Sequence, residues 1–343
     1  MQRKKFIGSL LATTGWGVSM ALPGASIAAE IVNHDKIIFP PYLKPGDCIG
    51  IPAPAGFISE NDVKPMVNAL KNSGYQVKLG KTIGQKFFNF SANDQDRLAD
   101  LQEMIDNPNI KAIWIARGGY GLMRILDQLH LDKLKKNPKW IIGFSDVTAL
   151  HLHLFRQINL ASIHAKMSHG FAADPTTLDA NQINSLDSAL HAIEGVPANC
   201  YCPSHSENRL GKTEGILVGG NLSIIQSLLN SDSDINTDHK ILFVEDTGEY
   251  LYQIDRIFTS LQRAGKLKKL KGLIVGGFNL KKDDEGEEFA YNLQEIILQK
   301  LEGTNFPVCF NFPVGHQKLN MALKCGGMYR LQVKTNEVWL QEI

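Results

Sequence analysis

Short blocks of unbroken apolar residues recur along this chain, and stretches of helical spacing separate them. Cys48 to Ala53, Ala112-Ile113-Trp114-Ile115-Ala116 and Trp140-Ile141-Ile142-Gly143-Phe144 are such blocks, ended by Pro54, by Arg117-Gly118-Gly119 and by Ser145. Tyr75 to Leu79 is a further short strand candidate. Between them, Val63 to Ser73 carries Val63, Met66, Val67 and Leu70 at helical spacing, and Asp94 to Asp106 does the same with Leu98, Leu101, Met104 and Ile105. Gly121 to Leu129 and Thr148 to Gln157 also predict helices. A strand that is apolar throughout, rather than at alternate positions, is buried on both faces. The pattern therefore predicts an α/β chain with a parallel sheet covered by helices on both sides. In such sheets the chemistry sits at the carboxyl ends of the strands.

The length of 343 residues, with 43% of them hydrophobic, suits two domains with separate cores. The first is expected over 36–170. Residues 171–210, with Pro175, Pro197 and Pro203 and a helix from Asn181 to Ile193, read as an interdomain connection. The second domain is expected over 211–343. Its strands are Thr213 to Val218, Lys240 to Glu245, Gly272 to Gly276, Val308 to Phe310 and a terminal hairpin from Met328 to Leu340. Its helices are Asn221 to Leu229, Tyr252 to Ala264 and Leu293 to Leu301. The net charge is +1, and no long run of like charge suggests nucleic-acid binding. Lys135-Lys136 and the Lys266 to Lys271 cluster read as solvated surface.

Residues 1–29 have the pattern of a secretory leader: basic Arg3, Lys4 and Lys5, an apolar stretch from Phe6 to Leu22, and small residues at Ser26 and Ala28 before a cut near Ala28 or Ala29. Arg3-Lys4-Lys5-Phe6-Ile7 resembles a twin-arginine signal with one arginine replaced, so either export route is open. The mature chain is expected in the periplasm without membrane insertion. The cysteines at 48, 200, 202, 309 and 325 are odd in number and match no zinc spacing. An oxidising compartment allows a bridge, but the sequence does not choose partners.

Four segments carry candidate chemistry. In Gly143-Phe144-Ser145-Asp146-Val147-Thr148 a buried strand stops, a serine follows and a helix starts. That sets the hydroxyl on an elbow and leaves the Asp146 N–H free for an oxyanion. Val147 stands where a G-x-S-x-G elbow has its second glycine, and Ser145 also suits a plain helix cap. Ala116-Arg117-Gly118-Gly119-Tyr120-Gly121 ends another strand; its glycines let backbone N–H groups approach a ligand, or simply form a turn. It lacks the glycine pattern and lysine of a phosphate loop. Lys240 to Glu249 is an apolar strand running into Glu245, with Glu249 as the competing acid. Phe312-Pro313-Val314-Gly315-His316 fixes a histidine after a tight turn. His151, His153, His164 and His169 compete with it; His151 and His153 fall on opposite sides of a helix, and His164 and His169 have no carboxylate or cysteine at metal-ligand spacing. Serine, glutamate and histidine in that order supply a nucleophile, an acid that fixes a tautomer, and a base. They would meet between the two domains.

Ala116 to Gly121, Gly143 to Leu150, Gly219-Gly220-Asn221-Leu222, Ile241 to Asp246 and Pro313-Val314-Gly315-His316 together resemble the LD-carboxypeptidase family, over roughly residues 40 to 343. Tyr252 to Arg256 and Gly272 to Gly276 are similar to further family segments. The resemblance implies a flavodoxin-like N-terminal domain and a smaller β-rich C-terminal domain. It implies a serine peptidase that removes the terminal D-alanine of murein tetrapeptide at the bond to an L-centred diamino acid. Ser145 would be the nucleophile, His316 the base and Glu245 its orienting acid. The N–H groups of Asp146 and Gly119 would form the oxyanion hole, with Arg117, Gly118 and Tyr120 as substrate-binding candidates. It implies no metal and no organic cofactor, and often a homodimer. Many relatives have His-Gly-Pro where this chain has His164-Ala165-Lys166-Met167, which affects the substrate wall. Two other readings compete: a self-immunity peptidase acting on an aminoacyl-nucleotide, and a periplasmic binding protein without catalysis.

Overall fold

Strands that are apolar on both faces need cover on both faces, and the first sheet has it. The computed structural model describes residues 36–343; the expected leader lies outside the described residues. Strands β1 (Cys48–Ile51), β2 (Gln76–Leu79), β3 (Ile110–Trp114), β4 (Trp140–Gly143) and β5 (Ser162–His164) are parallel, in the order β2-β1-β3-β4-β5. That is the flavodoxin-like doubly wound order. The connecting helices are α1 (Glu60–Asn72), α2 (Asp94–Asp106), α3 (Asp132–Lys136) and α4 (Val147–Ile158). Successive side chains of a strand point to opposite faces. Accordingly Ile113 and Ile141 join one core with Leu101, Met104, Leu150 and Leu154. Ala112, Trp114, Trp140 and Ile142 join the other with Val63, Met66, Leu70 and Ile193.

The second sheet is half parallel. Strands β7 (Gly211–Asn221), β8 (Ile241–Thr247), β9 (Gly272–Asn279) and β10 (Val308–Cys309) run parallel. Beyond β7 the sheet continues antiparallel through β12 (Met328–Val333), β13 (Glu337–Glu342) and β6 (Asn199–Pro203). Helices α6 (Leu222–Ser227), α7 (Leu251–Arg263) and α8 (Leu293–Lys300) accompany its parallel half. On one face Leu242, Val244, Leu273 and Val275 pack with Ile254, Phe258 and Leu261 of α7. On the other, Leu217, Phe243 and Ile274 pack with Phe312 and Leu331.

Three features differ from the sequence reading. Gly121 to Leu129 is not one helix but two short 3-10 turns, Leu122–Arg124 and Leu126–Gln128. The buried Leu122 and Ile125, and Leu126 and Leu129, are spaced by three, which a 3-10 turn eclipses onto one side. The segment 171–210, read as a connection with one helix from Asn181 to Ile193, holds that helix as α5 (Ala180–Glu194) but also contributes the edge strand β6, which was not expected. Strand β11 (Leu323–Cys325), far along the chain, joins the first sheet antiparallel to β5. All five cysteines are free thiols, and four are buried.

The two sheets meet through α4. Its Val147, Leu150 and Leu154 share a core with Val218, Leu222 and Ile225. Thr148 Oγ1 accepts a hydrogen bond from the Asn221 N–H at 2.9 Å. A Cβ at Gly220 would lie 2.4 Å from Thr148 Oγ1, so a glycine there is what allows this approach.

Candidate active site

Ser145 stands where β4 has ended and α4 has not begun. Its φ is +63°, in the left-handed region that costs a non-glycine residue roughly 1–3 kcal/mol. The cap reading does not describe it: Asp146 occupies the N-cap of α4, without a side-chain capping bond. The Ser145 backbone carbonyl accepts from Thr148 N–H at 2.9 Å, but its hydroxyl makes no hydrogen bond among the described residues. A strained serine with an uncommitted hydroxyl lies at the carboxyl end of a parallel strand.

The glycines at the end of β3 stand against this elbow. A Cβ at Gly118 would lie 3.2 Å from Ser145 Cβ and 3.4 Å from the Asp146 nitrogen. The Gly118 carbonyl accepts from Gly56 N–H at 2.9 Å. Across a trans peptide the following N–H points opposite to that carbonyl. The Gly119 N–H is therefore turned away from Gly56.

Glu245 and His316 are in direct contact. Glu245 is fully buried near the end of β8. Its Oε2 lies 2.5 Å from His316 Nδ1 and accepts from the His316 backbone N–H at 3.2 Å. A carboxylate at Nδ1 holds the proton on that nitrogen and leaves Nε2 as the base. Burial pushes the Glu245 carboxyl up, and the His316 hydrogen bonds oppose that shift. The loop must be a glycine at 315: φ is +98°, and a Cβ would fall 2.4 Å from Glu245 Cβ. The Gly315 N–H donates to Asn320 Oδ1 at 2.8 Å, which fixes the turn.

Phe144 connects the two halves. Its ring is 4.9 Å from the His316 ring, and Ser145 is the next residue. No hydrogen bond joins Ser145 to His316 among the described residues. The structure thus pairs Glu245 with His316 and sets Ser145 beside the aromatic residue on which His316 packs. Beside them opens a cleft of about 390 Å³, lined by Phe144, Lys166, His169, Thr247, His316 and Lys318 among others.

The remaining candidates fall elsewhere. Glu249 lies in a different cavity with Ser223 and Arg256, so it is not the partner of His316. His151 is buried, bonds the Gly143 carbonyl at 2.9 Å, and burial drops its pKa to about 4. His153 pairs with Ser233 Oγ at 2.8 Å. His164 is buried with neither ring nitrogen partnered, and burial pushes its pKa well down. His169 lines the cleft. Arg117 directs its guanidinium to the Phe57 carbonyl, and Tyr120 is exposed and packs on Phe90. Asp246, next to Glu245 but on the opposite side of the strand, accepts from Asn221 Nδ2, Ser223 N–H and Oγ, and Thr247 N–H. Sequence reasoning did not find Lys166 or Phe144 as site residues. The departure at His164-Ala165-Lys166-Met167 was the available signal for Lys166.

Comparison with known proteins gives a consistent picture. Residues 49–165 match the model of the LD-carboxypeptidase N-terminal domain, and residues 214–331 that of the C-terminal domain. A probable murein peptide carboxypeptidase from Bacillus subtilis is 32% identical over 292 residues, covering 84% of this chain and 89% of that protein. The microcin C7 self-immunity protein MccF of Escherichia coli is 26% identical over 326 residues, covering 86% and 93%. The crystal structure of a muramoyltetrapeptide carboxypeptidase from Oxalobacter formigenes superposes with a TM-score of 0.76 at 28% identity, covering 86% of this chain and 98% of that one.

Proposed function

We propose, from the premise that this chain belongs to the LD-carboxypeptidase family of peptidases, that it is a serine L,D-carboxypeptidase releasing the terminal D-alanine of murein tetrapeptide. The observation that carries this reading is the buried Glu245 carboxylate on His316 Nδ1, beside a strained serine whose hydroxyl has no other task.

In the proposed reaction, Ser145 Oγ attacks the carbonyl carbon of the diamino acid. Its proton passes to His316 Nε2, and Glu245 stabilises the imidazolium. The carbonyl electron pair moves to oxygen, and the Asp146 and Gly119 N–H groups receive that negative charge. Neither N–H has an acceptor among the described residues, so both are available without reorganisation. The oxyanion then collapses, the bond to the D-alanine nitrogen breaks, and His316 returns its proton to that amine. Water, deprotonated by the same imidazole, hydrolyses the acyl-serine and regenerates the enzyme. The nucleophile comes from the first sheet, and the base and acid from the second.

The test is incubation of the purified protein with murein tetrapeptide, followed by mass analysis. Tripeptide and free alanine are the expected products; unaltered tetrapeptide would refute the reading. We place the enzyme in the periplasm on the strength of the leader pattern at residues 1–29. Fractionation that leaves the untagged chain in the cytosol contradicts that placement.

A further inference from the structure

A carboxypeptidase must recognise the free carboxylate at the end of its substrate, and a half-buried cation is the group that does so. The cleft beside His316 carries three basic side chains, Lys166, His169 and Lys318, and no carboxylate among its lining residues. Lys318 is already engaged, with Nζ 3.2 Å from Asp179 Oδ2. Lys166 differs. Its Nζ donates to the Gln317 carbonyl at 2.6 Å and forms no ion pair among the described residues. An ammonium has three donors, so two remain for a ligand.

The Lys166 position is built. Its backbone carbonyl accepts from Trp114 Nε1 at 2.8 Å, which anchors it just past the carboxyl end of β5. A Cβ at Gly170 would fall 3.0–3.5 Å from the Lys166 stem, so that glycine packs directly on it. Nζ lies 5.8 Å from the centre of the Phe144 ring, on which His316 also packs. Burial lowers the Lys166 pKa, and the nearby Glu245 opposes that shift.

The direction of the reaction places the leaving group. His316 returns its proton to the amine it releases, so the leaving residue must lie against the imidazole. In a single leaving amino acid only one carbon separates that amine from the terminal carboxylate. The carboxylate therefore falls in the cleft that His316 and Lys166 share.

We infer that Lys166 is the specificity-determining residue of this enzyme, binding the terminal carboxylate of the leaving amino acid through its ammonium group. This rests on the carboxypeptidase reading and adds to it the group that distinguishes a chain end from an internal bond.

The test compares murein tetrapeptide with its C-terminal carboxamide, using the wild-type protein and Lys166→Met. The wild type should prefer the acid. Lys166→Met should lose about 10- to 100-fold in kcat/KM on the acid, mainly through KM, as expected for a lost charge-assisted hydrogen bond. Its loss on the carboxamide, whose oxygen still accepts a hydrogen bond but carries no charge, should be clearly smaller, and an unchanged melting temperature should show that the protein remains folded. Lys166→Arg should recover part of the preference. Equal losses on both substrates would make Lys166 a structural residue and overturn the inference, as would unchanged acid hydrolysis in Lys166→Met. If the wild type cleaves neither substrate, the carboxypeptidase reading fails first and the inference falls with it.

Discussion

Glu245 meets His316 twice through one oxygen: Oε2 takes the backbone N–H at 3.2 Å and the ring Nδ1 at 2.5 Å. The double contact fixes both the ring orientation and the loop that carries it. Glu245→Gln keeps the shape but lets the amide present its N–H₂ to the ring, which favours the wrong tautomer. The expected loss in kcat is roughly two to four orders of magnitude. Because burial already disfavours the ionised carboxyl, thermal stability should hold or rise; steady-state kinetics and a melting curve check both.

Gly315→Ala places a methyl where Glu245 already sits and forces a left-handed residue. The loop must shift, and with it His316. The expected outcome is at least a hundredfold loss of activity and a stability loss of about 1–3 kcal/mol, read by kinetics and urea unfolding.

Asp146 is buried, with Oδ2 accepting from Leu122 N–H at 3.0 Å and Oδ1 unpartnered. Burial raises its pKa from 3.8 to about 6. A raised acid favours the folded state when protonated. That contribution is complete below pH 3.8 and is lost as the pH rises through about 6. Asp146→Asn should therefore gain on the wild type between pH 4 and pH 7 by roughly 2 kcal/mol, at about 1.4 kcal/mol per pKa unit and with part of the change already complete at pH 4. Urea unfolding of both proteins at the two pH values checks this, since other titrating groups cancel in the difference.

Thr148→Val removes the acceptor of the Asn221 N–H while keeping the side-chain shape. A buried donor is left unpaired where the two sheets join. The expected destabilisation is about 1–3 kcal/mol, measured by urea unfolding.

Much of this architecture was legible because burial on both faces leaves an unbroken apolar block. The blocks Cys48 to Ala53, Ala112 to Ala116 and Trp140 to Phe144 marked β1, β3 and β4 for that reason, with β3 displaced to Ile110–Trp114, and the periodic face marked the helix Asp94 to Asp106. The short strands Ser162 to His164, Asn199 to Pro203 and Leu323 to Cys325 were not. Asn199 to Pro203 is an edge strand with alternating exposure and a proline, which reads as a loop. Ser162 to His164 and Leu323 to Cys325 pair with each other from distant parts of the chain, and no local pattern encodes that. In the site, the choice between Glu245 and Glu249 was open in sequence, and packing of the Gly315 loop against the strand end decides the contact. Lys166 was visible only as a departure from a family pattern; its role depends on which cleft its side chain enters.

The most direct test of the central claim is kcat for release of alanine from murein tetrapeptide by Ser145→Ala beside the wild type. The expected result is a loss of several orders of magnitude with an unchanged melting temperature. Turnover at the wild-type rate in the folded Ser145→Ala protein would contradict it.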